Sequence, residues 1–288
     1  MGLQIMLGSM HIDLIYCSMS QEIEQQTKTV KCALVIGTVN LMPTLLGIAS
    51  IATRASSLRT TLQSLYTQVD KAVIYLNDYD EVPIWASDFN RVEFILGSKA
   101  LGDLGDKAKF YALNYLEPNT YFFSADDDIL YPPNYVEYTS QWLKYTQGSC
   151  LISYHGRSFK KQPTPPITAS TYYSQTTVHH FNHALRTPQF VHFGGTGVMA
   201  FDSSTIKLAL SDIGEARNMA DIWVGTYAQS HKHPILLPPH KSNWLRQNPL
   251  ANSTTSIFNS TKKATPLTPL NNYLANQEFK LITQKLNL

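Results

Sequence analysis

The sequence predicts an α/β fold with a mostly parallel central sheet flanked by helices and a smaller second region. Two observations carry this. Short β-prone apolar runs alternate with loops and with segments of helical apolar spacing, which is the rhythm of a parallel sheet with covering helices. Three of those runs end on polar residues, Thr53-Arg54, Asn77-Asp78 and Asp126-Asp127-Asp128, as expected where strand ends converge on one ligand crevice.

Residues 1–45 form an N-terminal extension of unclear organisation. Cys32 to Thr53 carries no charge, but Asn40, Pro43 and Gly47 make it a poor membrane span, so two short strands split around Asn40-Leu-Met-Pro43 are expected. Gly47–Thr53 reads as a strand, and Ser56-Ser57 as the cap of a helix with apolar Leu58, Leu62 and Leu65. Lys71–Leu76 and Val92–Leu96 are strands, and Gly97–Gly105 is a glycine-rich loop. Asp106–Leu116 is expected to be helical before the strand that starts at Tyr121.

In the second half, Ile152–Arg157 ends a strand and residues 160–178 read as a long Pro, Thr and Ser-rich loop. Phe190–Phe193, the run Gly194-Gly195-Thr196-Gly197, a strand over Val198–Phe201, a helix around Asp221 and a short strand before His240 follow. A polar tail over 246–288 is expected to end in a helix over Tyr273–Leu288.

Composition narrows the function. A net charge of +2 argues against nucleic-acid binding by bulk electrostatics. The cysteines Cys17, Cys32 and Cys150 have neither metal-ligand nor disulfide-framework spacing, so a reducing compartment is the default. There is no basic leader, and Asp13 interrupts the first apolar stretch, which points to the cytoplasm. The histidines (His179, His180 and His183, or His231, His233 and His240) lack the partners and spacing of a zinc site.

The acidic run is the densest chemical signal. Asp126 and Asp128 lie two residues apart and in extended backbone project to one side, offering hard oxygen ligands that suit Mg²⁺ or Mn²⁺. The competing reading is an Asp-rich turn ahead of Tyr135.

In their order, Thr53-Arg54, Asn77-Asp78, Gly105-Asp106-Lys107-Ala-Lys109-Phe110, the three acids with Ile129-Leu-Tyr131-Pro132, and Asp221-Ile-Trp223 resemble a GT-A (Rossmann-like) glycosyltransferase. The likeness is to family-2-like enzymes of bacterial capsule and lipopolysaccharide synthesis, and covers about residues 46–245, with 46–131 as the nucleotide-sugar half and 132–245 as the acceptor half.

That resemblance implies a nucleotide-sugar donor, a glycan or lipid-linked acceptor, and Mn²⁺ or Mg²⁺ held by Asp126 and Asp128, with His240 completing the metal's shell. It implies donor contacts from Thr53, Arg54, Asn77, Asp78, Lys107, Asp126, Asp127 and Gly195. Asp221 would be the catalytic base of an inverting transfer, with Glu215 as the alternative. His155, Gly194, Thr196 and Trp223 would lie on the acceptor side, and the C-terminal helix could meet a membrane face or a partner. Two other classes remain: a carbohydrate-binding pseudoenzyme, and a metal-dependent nucleotidyltransferase or phosphohydrolase.

Overall fold

The computed structural model describes residues 42–214, 219–251 and 267–286. The first of the two strands expected around Asn40, and Glu215, lie outside them.

The architecture is the expected α/β one. Strands β1 (Thr44–Ser50), β2 (Lys71–Leu76), β3 (Val92–Leu96) and β4 (Tyr121–Asp126) are parallel and ordered β3-β2-β1-β4. The chain therefore runs outward from β1 to one edge, then returns to the other side of β1. This makes β1 and β4 the switch point, beyond whose carboxyl ends ligands bind in open α/β sheets. Antiparallel β11 (Val198–Asp202) follows β4, and β6 (Leu151–Ser153), β12 (Ile235–Leu237) and β9 (Gln189–Val191) complete eight strands.

Alternation along each strand feeds two cores. Ile48, Ile74 and Phe123 face helices α1 (Ala55–Leu65) and α2 (Tyr135–Tyr145). Leu45, Val73 and Phe122 face the opposite layer, built from residues 105–115 and helix α4 (Ala220–His231). Phe122 and Phe123 are both fully buried, so Phe123→Ala should cost about 3–5 kcal/mol.

The layer over β1 differs from expectation. Gly105–Tyr115 is a succession of 3-10 turns rather than an α-helix. It lies so close to β1 that a Cβ at Gly47 would collide with the Lys109 carbonyl. With three residues per turn, Asp106, Lys109, Ala112 and Tyr115 share one row. Helix α1 also starts earlier than expected: Ser56 and Ser57 lie inside it, and Ser57 Oγ donates back to the Arg54 carbonyl at 2.9 Å.

Two further corrections concern the second half. The expected 160–178 loop contains helix α3 (Ala169–Gln175), which packs with β7 (Gly156–Phe159), β8 (Thr176–His179) and β10 (Phe193–Gly194) into a second, three-stranded sheet. Thr168 and Thr171 form a reciprocal cap there, which β-branched Thr and polar Ser conceal in a composition-based reading.

The terminal helix is α5 (Thr268–Leu274), not Tyr273–Leu288; its Pro269 and Leu270 are buried, and Phe279 beyond it inserts against Phe193 with ring centroids 4.8 Å apart. Its buried apolar residues thus pack on the domain. Nor does the tail begin at 246: β13 (Arg246–Gln247) pairs with β5 (Ile129–Leu130), and Asn248 is buried. Among the described residues no helix is long and apolar enough to cross a membrane.

Candidate active site

The three acids at the end of β4 have different environments. Asp127 turns inward with its side chain 4% exposed, held by Arg54 Nη1 at 2.8 Å and Ser50 Oγ at 2.7 Å. Tyr79 Oη meets the same serine at 3.1 Å. Asp126 and Asp128, 39% and 22% exposed, are the two that solvent and ligand can reach. Asp127, expected as a donor contact, is thus held as a structural clamp joining the ends of β1 and β4.

Arg54 spans the turn, reaching Asp128 Oδ2 at 3.4 Å as well. Burial would lower the Arg54 pKa, but Asp127 and then Asp128 outweigh it and hold the guanidinium charged. Asp128 is pushed up to about 6, first by burial and then by repulsion from Asp126 and Asp127.

The second cation is Lys109, not the expected Lys107. Lys109 is buried and pairs directly with Asp126 Oδ1. Burial would lower its pKa; Asp126 and Asp106 reverse that and keep it protonated. Lys107, on another row of the 3-10 segment, instead donates to the Gly214 carbonyl at 3.0 Å. The three-residue spacing of Asp106 and Lys109 was the available signal, and it is legible only once the turn is known to be 3-10.

Asp221 lies in the first turn of α4, where Oδ1 accepts from Thr196 N at 2.8 Å and Thr196 Oγ1 at 2.7 Å. It is not an N-cap. Burial raises its pKa, while the Thr196 bonds and Lys109 pull the other way. Asp106 accepts from Ala220 N at 3.0 Å, so the 3-10 segment fixes the start of that helix. Burial also raises the Asp106 pKa, with Lys109 opposing it.

Five carboxylates (Asp106, Asp126, Asp127, Asp128, Asp221) are thereby coupled to two cations, Arg54 and Lys109. Fully ionised, the cluster carries an excess of negative charge at a partly dry crevice. Such a cluster must bind protons or a cation.

Other expected residues divide. Thr53 is exposed at the end of β1, and Asp78, exposed at the end of β2, accepts from Ala52 N at 2.6 Å, so both border the crevice. Asn77 is buried and spends its amide on the Gly105 carbonyl and Leu104 N, bracing the glycine-rich loop rather than facing a ligand.

Gly194 sits in β10, and Gly195 N donates to the His155 carbonyl at 2.8 Å. The neighbouring Gly197 abuts Asp126 so tightly that a Cβ would overlap its carboxylate. Tyr131 Oη closes that corner, donating to the Gly197 carbonyl and accepting from Asp126 N.

His155 is half-buried with its Nδ1 enclosed and unpartnered, and burial followed by His180 lowers its pKa to about 3, so the ring is neutral. Trp223 packs against Gly214 so closely that a Cβ there would overlap its ring. His240 hydrogen-bonds the Pro238 carbonyl at 2.9 Å and packs on Tyr154 and Trp244. Among the described residues no group of three His, Cys, Asp or Glu is placed to hold a metal, so His240 does not complete a set with Asp126 and Asp128.

No protein family and no curated protein matches this chain in sequence. It is similar to solved structures of S. aureus TarS. TarS 1–349 has 9% identity and a TM-score of 0.44, over 70% of this chain and 59% of that one. Its complex with UDP-GlcNAc has 12% and 0.42, over 70% and 57%. Its complex with UDP has 10% and 0.43, over 70% and 59%. The chain thus spans less than two thirds of those chains, and likeness at this level carries nothing about activity.

Proposed function

We propose that this chain is a metal-assisted glycosyltransferase that moves a sugar from a nucleoside diphosphate to a glycan or lipid-linked acceptor, with inversion, in surface polysaccharide synthesis. The observation that supports it is the charge-unbalanced acid cluster at the β1/β4 switch point, with a second carboxylate, Asp221, held across the crevice. The order of motifs along the chain points the same way.

The residues fit a divalent cation: Asp126 and Asp128 are the accessible acids, and a cation would offset the repulsion that pushes Asp128 up. Such an ion supplies charge neutralisation for a departing diphosphate. The chain's own residues do the rest. Thr196 fixes the Asp221 carboxylate with two hydrogen bonds to one oxygen, leaving the other oxygen to take a proton from an acceptor hydroxyl. The raised pKa brings Asp221 nearer to neutral pH, which strengthens it as a base. Lys109 orients Asp126, and Gly197 keeps the floor low beneath it.

The test is thermal stabilisation by a panel of nucleotide sugars, UDP-N-acetylglucosamine among them, with and without Mn²⁺. Manganese-dependent stabilisation by one donor is expected. Stabilisation by free nucleotide alone, with phosphate release, would instead indicate a phosphohydrolase, and no response to any donor would remove the transferase reading.

A further inference from the structure

From Tyr138 to Phe201 the chain contains no Asp or Glu, yet it carries Lys144, Arg157, Lys160, Lys161 and Arg186 and five histidines. This acid-free stretch builds the second sheet and α3. Within it, Arg157 on β7 is half-buried. Its guanidinium lies over the Tyr173 ring at 4.8 Å and the Tyr172 ring at 5.7 Å, and it donates to Thr176 Oγ1 at 3.2 Å.

Among the described residues no carboxylate comes within ion-pair distance of it. A guanidinium held by π faces and one hydroxyl keeps several N–H donors for an oxyanion. The platform is next to the base: Tyr172 shares a core cluster with Ile222, the residue after Asp221, and both tyrosines feel the charges of Arg157 and Asp221.

We propose that Arg157, on its Tyr172–Tyr173 platform, binds an oxyanion carried by the acceptor, so that the acceptor is an anionic glycan and not a neutral one. This rests on the glycosyltransferase reading for the word acceptor; the anion site itself does not. Phosphate and carboxylate share the chemistry, and the experiment separates them.

Wild type and Arg157→Gln are titrated with glycerol 3-phosphate, glucuronate and glucose, followed by NMR line broadening of the probe at about 0.15 M salt. The anionic probes should bind wild type, and the variant should lose about tenfold or more, because charge-assisted hydrogen bonds to arginine are the strong ones. Glucose should not distinguish the two proteins. The tighter anion names the source.

Tyr173→Ala should weaken the same probe several-fold while leaving Arg157 in place, which guards against misfolding of the glutamine variant. Equal binding of anions by wild type and Arg157→Gln, or no preference of wild type for anions over glucose, overturns the proposal. Nucleotide-sugar stabilisation, read on the same proteins, should be unchanged by Arg157→Gln. Its absence from wild type would remove the transferase reading while leaving the anion result to stand or fall separately.

Discussion

Replacing Lys109 with Met tests whether the site is built on charge balance. The ammonium is buried, pairs with Asp126 and lies within the fields of Asp106 and Asp221, whereas Met fills similar volume without charge. Removing one partner of a buried ion pair costs about 3–5 kcal/mol. Asp126 is 39% exposed, so solvent recovers part of that, and about 3 kcal/mol is expected near pH 7.5.

For a chain of this size that loss lowers the unfolding midpoint by about 6–12 °C. The pH dependence is the sharper signature. Without Lys109, the folded pKa values of Asp106 and Asp221, already above 3.8, rise further. The folded state then holds protons that the unfolded state has released, so stability falls as pH rises. The deficit should therefore be largest at pH 7.5 and shrink toward about pH 5. Thermal unfolding of Lys109→Met and of Lys109→Met/Asp126→Asn measures it, with the double variant regaining part of the loss. A deficit under about 1 kcal/mol at pH 7.5, or one equal at both pH values, would refute the charge-balance argument.

Further outcomes follow from the same geometry. Asp221→Asn should keep donor stabilisation and lose at least about 100-fold in transfer, since the amide oxygen still accepts from Thr196 but cannot take a proton; nucleotide release with acceptor present measures it. In wild type, Asp128 titrates at about 6, so stability without divalent cation should decline as pH climbs from about 4 to 6, and Mn²⁺ should flatten that decline; calorimetry across this range decides. Asp127→Ala should cost about 3–5 kcal/mol by removing the buried carboxylate that pairs with Arg54 and accepts from Ser50, whereas Asp128→Asn should be within about 1 kcal/mol and abolish the Mn²⁺ response; denaturant midpoints separate the two acids. Gly197→Ala should displace Asp126 and destabilise by about 1–3 kcal/mol, with donor binding weakened in the same titration.

The parallel half was legible because its strands are continuous β-prone runs, buried on both faces in the centre of the sheet and half-buried in the edge strand β3; Lys71–Leu76 and Val92–Leu96 have the expected bounds. So was the convergence of Thr53-Arg54, Asp78 and the acids, because strand ends in such a sheet share one edge. What failed had specific causes. Lys107 rests on the motif resemblance alone, whereas the 3-10 winding sets Lys109 in the row of Asp106, and the contact of Gly47 with the Lys109 carbonyl that accompanies this winding is a tertiary fact. Helix α3 was hidden by Ser, Thr and Tyr, whose weak helix preference is overridden by burial of Ala169 and Tyr172. The resemblance alone points His240 at a metal, whereas its ring is held by the nearby Pro238 carbonyl and Trp244 and by Tyr154 from far back in the chain. Asp127 could not be told from Asp126 and Asp128 until the turn showed which one faces inward.

Asn248 is bound into the acidic turn from far along the chain. Its backbone N–H donates to the Asp128 carbonyl at 2.7 Å, and its side-chain amide donates to the Ser57 carbonyl and to Thr60 and Thr61 in α1. Thr61 in turn donates to the Asp127 and Ile129 carbonyls. Three stretches of chain (α1, the acidic turn and the segment around Asn248) thus share one knot, and the acids cannot loosen locally without freeing all three. Amide protons in this turn should exchange at the rate of whole-domain opening rather than at loop rates. Trimming the protein back before residue 248 should erode the acidic turn before it touches the sheet.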